Sequence, residues 1–120
     1  MLALVVEDQP LIALDTEAML SEIGAASVAS FPSVDQTLVW LQTSAPAVAV
    51  LDVNIGGTSS FAVADELSLR GIPFAFTTGY ADTVMIPSRY SHIGIVQKPY
   101  TLDSLAQTLA LCLTAAGKRP

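Results

Sequence analysis

The chain has a single cysteine, Cys112, which excludes an internal disulfide and suits a reducing compartment. Basic residues are few: five Lys and Arg stand against eleven Asp and Glu, for a formal charge of −6. A chain this acidic is a poor general binder of nucleic acid or of an anionic membrane surface. No apolar run is long enough to span a bilayer, and no basic region opens the N-terminus, so neither a membrane anchor nor a signal peptide is expected. No helix-turn-helix, basic stripe, internal repeat or low-complexity segment is visible. Charged residues make up only 13% of the sequence and hydrophobic residues 52%, which excludes a disordered tail. The 120 residues suffice for one domain with a real core, expected over residues 1–117, with 118–120 as a short tail.

Short apolar runs alternate with helical patterns along the chain. Leu2–Val6 and Ala47–Leu51 read as strands buried on both faces, being too short for helices and rich in valine. Ala26–Ala29 reads as a strand near an edge. The first half of Pro73–Tyr80 and the stretch Ile93–Val96 complete a set of five. Between them, Pro10–Ile23 is a helix with Ile12, Thr16, Met19, Leu20 and Ile23 on one stripe, stopped by Gly24. Ser33 and Gln36 fit a capping box for a helix over 34–42 that buries Val34, Leu38 and Leu41. Ser60–Arg70 is a third helix, with Phe61, Ala64 and Leu67 or Leu69 inward and Gly71 as its stop. Thr101 caps a final helix whose stripe is Leu102, Leu105, Leu109, Cys112 and Leu113. Residues 81–91 fit no clean stripe and contain Pro87, so a weak or disordered helix is expected there. Trp40 and Cys112 read as packing residues, and His92 as a surface residue.

Strands alternating with helices imply a parallel sheet covered on both sides. The expected architecture is an α/β, flavodoxin-like, doubly wound sheet of five parallel strands in the order 2-1-3-4-5. Ligands of such sheets gather beyond the carboxyl ends of the strands, where the winding reverses. Four of those ends carry chemistry: Glu7 and Asp8, Asp52, Thr78 beside Gly79, and Lys98. Asp8 has an ordinary alternative reading as the cap of the first helix. Taken together, three crowded carboxylates call for a hard divalent cation, Mg²⁺ or Mn²⁺. Asp8, Asp52 and the main-chain carbonyl of Asn54 would ligate it, with Glu7 holding a metal-bound water. Asp52 is then placed to act as a nucleophile toward phosphorus. Lys98 can pair with the transferring phosphoryl group, Thr78 can donate its hydroxyl to it, and main-chain amides after Asp52 and Thr78 can complete the cradle.

On these residues the chain resembles a response-regulator receiver domain of bacterial two-component signalling, over essentially its whole length. The resemblance implies Mg²⁺-dependent phosphorylation of Asp52 by a histidine kinase or histidine phosphotransfer protein, and a cis bond between Lys98 and Pro99. It also implies a cytoplasmic protein that catalyses only its own phosphorylation and dephosphorylation, and a phosphorylation-dependent dimer. Within the family, PFAFTTGY at 73–80 resembles the FATGY subfamily, often stand-alone receivers of alphaproteobacterial general-stress pathways paired with HWE-type kinases. Thr77 departs from that motif's alanine. Ile95 stands where many receivers carry a switch aromatic, which leaves Tyr80 as an available aromatic near Thr78 and a candidate for that role.

Two other functions fit parts of the pattern. An aspartyl-nucleophile phosphatase of the haloacid-dehalogenase type normally carries a second Asp two residues after the nucleophile; this chain has Asn54 there, and no cap domain. A phosphate-independent interaction module would have no need of the acceptor set. A flavodoxin-like nucleotide binder is disfavoured, because Glu7 and Asp8 would repel a phosphate at the first loop.

Overall fold

The computed structural model describes residues 1–79 and 86–117. Its central sheet holds five parallel strands, β1 (Leu2–Val6), β2 (Ser27–Phe31), β3 (Val48–Asp52), β6 (Phe74–Thr78) and β7 (Ile95–Gln97), in the spatial order β2-β1-β3-β6-β7. This is the expected 2-1-3-4-5 winding. Two further short strands, β4 (Asn54–Ile55) and β5 (Thr58–Ser59), form an antiparallel hairpin directly after β3. Gly56 and Gly57 make its two-residue turn with φ of 57° and 86°, a conformation that strains any residue with a Cβ.

Side-chain alternation along the strands divides the core in two. Leu4, Val6, Leu51 and Phe76 face the helices α2 (Val34–Leu41) and α3 (Phe61–Leu69). Ala3, Val5, Val50, Ala75 and Val96 face α1 (Pro10–Ile23) and α4 (Leu102–Gly117), meeting Leu20, Leu105 and Leu109. Cys112 packs on this second layer, and its thiol donates to the Phe74 carbonyl at 3.2 Å. Burial raises the thiol pKa above its usual value, which leaves it poorly nucleophilic.

The helix ends follow local chemistry. Ser33 accepts the Gln36 amide at 3.2 Å, and Thr101 accepts the Ser104 amide at 3.1 Å. Ser33→Ala should therefore cost about 1 kcal/mol, read as a lower denaturant midpoint at unchanged slope. α1 begins differently: Gln9 is its N-cap residue, without a side-chain cap, and Pro10 opens its first turn. Asp8 is thereby released from the capping role and turned to the site.

Several boundaries and stripes shift from expectation. β2 runs to Phe31, whose ring meets Trp40 at a centroid distance of 5.4 Å. On α3 Leu67 is the inward leucine, as one of the two expected alternatives, while Leu69 is 83% exposed and Val63 is buried as well. Leu113 is exposed as well. Residues 80–85, which include the first part of the expected weak helix, and the tail 118–120 lie outside the described residues. Past residue 85 the chain makes a 3-10 turn at Ser88–Tyr90. Tyr90 is buried against Phe61, Phe74 and Phe76. Its hydroxyl donates to Asp65 of α3, which also receives Arg89 at 3.0 Å.

Candidate functional site

The alternation that builds the α1/α4 core layer also builds the site. Glu7 stands two residues past Val5, Asp52 two past Val50 and Lys98 two past Val96, so all three continue the same face at the carboxyl edge of the sheet. The Lys98 ammonium lies 2.6 Å from Glu7 Oε1 and 2.8 Å from Asp52 Oδ2. Both carboxylates are almost fully buried, at 4% exposure each. Lys98 is the described cation that holds them together.

Asp8 is exposed and one step further along the loop. The backbone amide of Gly56, at the tip of the β4–β5 hairpin, donates to Asp8 Oδ2 at 2.9 Å. The hairpin therefore orients a carboxylate from a loop 48 residues away in sequence. Glu7 is oriented in the same manner by the Gln9 amide, at 3.2 Å.

Carboxylate oxygens of Glu7, Asp8 and Asp52 lie within 4.8 Å of one another. One lysine cannot neutralise three carboxylates. Burial pushes the Glu7 carboxyl up to about 7, and the Asp52 charge adds to the rise against the pull of Lys98. For Lys98 the balance runs the other way: burial lowers its pKa, but the hydrogen bonds to Asp52 and Glu7 outweigh burial and hold it above its usual value. Asp52 Oδ1 is buried and has no hydrogen-bond partner. A buried anionic oxygen left this way is unfavourable unless something else meets it. An orphaned oxygen within an all-oxygen, excess-negative donor set fits a hard divalent cation. The cluster is thus able to bind a metal ion.

The other residues singled out by sequence surround this centre. Thr78 ends β6, half-buried, and its carbonyl accepts the Lys98 amide at 2.7 Å. In the strand register Thr77, not Thr78, lies opposite Asp52, and Thr78 pairs with Gln97 one step beyond. Gly79 follows directly. Asn54 opens β4 and pairs with Ser59. The Lys98–Pro99 peptide bond is cis. Tyr80 lies outside the described residues. Ile95, at the position where many receivers carry a switch aromatic, is half-exposed on the edge strand β7. Sequence reasoning missed the Gly56 amide, although a Gly-Gly pair after a strand-end Asp was its signal. It also missed Tyr100, whose hydroxyl meets Thr16 of α1.

A doubly wound sheet with an acidic, metal-competent cluster and a lysine at its switch point belongs to the class of α/β domains that bind ligands beyond the carboxyl ends of their strands. The family model for the response regulator receiver domain matches residues 3–110, and the chain belongs to that family. It is similar to SdrG from Sphingomonas melonis Fr1, at 38% identity over 94% of this chain and 96% of that one, with a TM-score of 0.84. A structure titled as the BeF3-activated conformation of SdrG from Pseudomonas melonis Fr1 matches at 36% identity, covering 93% and 95%, with a TM-score of 0.77. The receiver domain of the Erythrobacter litoralis PhyR response regulator shares the fold, at 24% identity, 98% and 93% coverage and a TM-score of 0.80. No curated protein sequence gives a significant match. Among the described residues no helix is long and apolar enough to cross a membrane.

Proposed function

We propose that the chain is a phosphoacceptor in a two-component phosphorelay, with Asp52 as the acceptor. The observation that carries this reading is the buried Asp52 carboxylate, with one oxygen held by Lys98 and the other unpartnered beside Glu7 and Asp8. A carboxylate oxygen of Asp52 attacks the phosphorus of a phosphohistidine; the P–N bond breaks, the O–P bond forms, and the imidazole leaves. Asp8, Asp52 and the Asn54 carbonyl would hold Mg²⁺ or Mn²⁺, and Glu7 would hold a water beside it. When bound, the cation offsets negative charge on the acceptor and on the phosphoryl group. Lys98 then exchanges part of its carboxylate contact for a phosphoryl oxygen, while Thr78 and the amide of Gly79 supply further donors.

The donor in this reading is a histidine kinase, of HWE type if the FATGY resemblance of PFAFTTGY extends to partners, or a histidine phosphotransfer protein. The protein acts in the cytoplasm through protein contacts or as a phosphate sink or shuttle, and turns over no other substrate. The similarity to SdrG supports the reading, because BeF3⁻ mimics a phosphoryl group bound to a carboxylate. The phosphatase alternative gains no support from the site, since position 54 is Asn.

Incubation with acetyl phosphate and Mg²⁺ should give one phosphoryl adduct by intact-mass spectrometry. The adduct should vanish in Asp52→Asn and on chelation of the metal. An adduct that persists undiminished in Asp52→Asn would place the acceptor elsewhere and overturn the assignment.

A further inference from the structure

Four residues, Lys98–Thr101, join β7 to α4 and carry the site's lysine. The turn is pinned at its start, where the Lys98 amide donates to Thr78, and at its end, where Thr101 caps α4. Between those points a cavity of about 370 Å³ opens between the turn and α1, lined by Ile12, Met19, Lys98, Pro99 and Tyr100 among others. The Tyr100 ring packs against the α1/α4 core layer, but the cavity leaves the Lys98–Pro99 part of the turn without close packing against α1. What spans the gap is the Tyr100 hydroxyl, which reaches Thr16 on α1.

The direction of that contact is fixed by counting protons. Thr16 is fully buried, and its hydroxyl lies 2.8 Å from the Ile12 carbonyl. A carbonyl only accepts, so the single Thr16 proton goes to Ile12. Thr16 Oγ1 is then the acceptor for Tyr100. The result is a one-way chain from Tyr100 through Thr16 to the backbone of α1. A lysine is a long, flexible point charge, so where its ammonium stands depends on how firmly its backbone origin is held.

We propose that Tyr100 is a positioning residue: by donating its hydroxyl to Thr16, it holds the Lys98–Pro99 turn against α1 and so keeps the Lys98 ammonium between Glu7 and Asp52. The inference rests on the phosphoacceptor reading for its consequence but not for its geometry. The test compares Tyr100→Phe, Thr16→Val and Thr16→Ser with the parent chain in two measurements. The first is the rate of phosphorylation at saturating acetyl phosphate and Mg²⁺. Tyr100→Phe and Thr16→Val should each slow it about 3- to 10-fold, since small misplacements of a reacting group carry large rate penalties. Thr16→Ser, which keeps the acceptor, should match the parent. The Tyr100→Phe/Thr16→Val double variant should be no slower than the worse single variant. In a Lys98→Gln background, Tyr100→Phe should have no further effect, an outcome that a merely structural role would not give.

The second measurement is the ¹H–¹⁵N NMR signal of the Lys98 ammonium in metal-free protein, which requires no phosphoryl transfer. It should shift or broaden in Tyr100→Phe and stay in place in Thr16→Ser. A Lys98 signal unmoved by Tyr100→Phe, or a rate loss of the same size in the Lys98→Gln background, would overturn the inference. A parent chain that takes up no phosphoryl group would defeat the phosphoacceptor reading instead, and the NMR result would still decide the positioning role.

Discussion

Replacing Lys98 with alanine is expected to cost the metal-free protein about 3 kcal/mol of stability at pH 8, the usual penalty for removing one partner of a buried ion pair. Glu7 and Asp52 are each only 4% exposed, so the carboxylates left behind cannot recover their hydration. At pH 5 the loss should be smaller, because the Glu7 share of it falls away while the broken contact with Asp52 remains. Glu7 already has its pKa pushed up to about 7 by burial, and without Lys98 it moves higher still. Near pH 5 it takes up a proton instead of remaining an unpaired anion. Urea unfolding of both chains at the two pH values checks this. An equal loss at both would mean that the Glu7 charge contributes nothing to it, leaving only the contact with Asp52 and the packing of the lysine stem.

The same group sets a pH dependence in the unaltered protein. The folded Glu7 pKa of about 7 lies above its ordinary value of 4.5. Between those limits the native state binds more protons than the unfolded state, so stability falls as pH rises through the window. Above the folded pKa the penalty is complete. A cation bound by the cluster removes the reason for the raised pKa, because it meets the carboxylates that burial disfavours. Added Mg²⁺ should therefore stabilise more at pH 8 than at pH 5, beyond the mass-action term common to any ligand.

Much of the site was legible because strand alternation is a rigid rule. Val5, Val50 and Val96 share one layer of the core, and the residues two further along, Glu7, Asp52 and Lys98, must share its face. The winding order then brings the three strand ends together. What escaped the sequence depends on partners that no period links. Thr16 and Tyr100 are 84 residues apart, and either alone reads as an ordinary core or loop residue. The hook from Gly56 to Asp8 requires the hairpin to reach the loop after β1, a tertiary fact that Gly-Gly permits without dictating. The β2 boundary slipped because that strand lies at the sheet edge and none of its residues is fully buried, so no solid apolar run marks it. Asp65, Arg89 and Tyr90 were invisible for the same reason as Thr16: an acid on α3 meets a tyrosine and an arginine from a turn with no helical period of its own.

The largest functional loss short of the acceptor itself should come from Asp8→Asn, and it should arrive with the opposite sign in stability. Asp8 is exposed, its described hydrogen bond is the one from Gly56, and it adds a third negative charge to a cluster with one lysine. An asparagine keeps an oxygen for the Gly56 amide and removes the charge. The metal-free variant should thus unfold at a denaturant midpoint equal to or above that of the parent. Cation binding should suffer, because a neutral amide oxygen is a far weaker partner for a hard divalent ion than a carboxylate. Loss of several kcal/mol of charge stabilisation at the transferring phosphoryl group would slow Mg²⁺-dependent phosphorylation by about 100-fold or more. Calorimetric titration with Mg²⁺, unfolding curves and phosphorylation rates on one preparation separate the two effects. A variant that lost stability and activity together would mean that Asp8 serves the fold. Activity lost from a protein at least as stable as the parent would mean that its charge is kept for the cation.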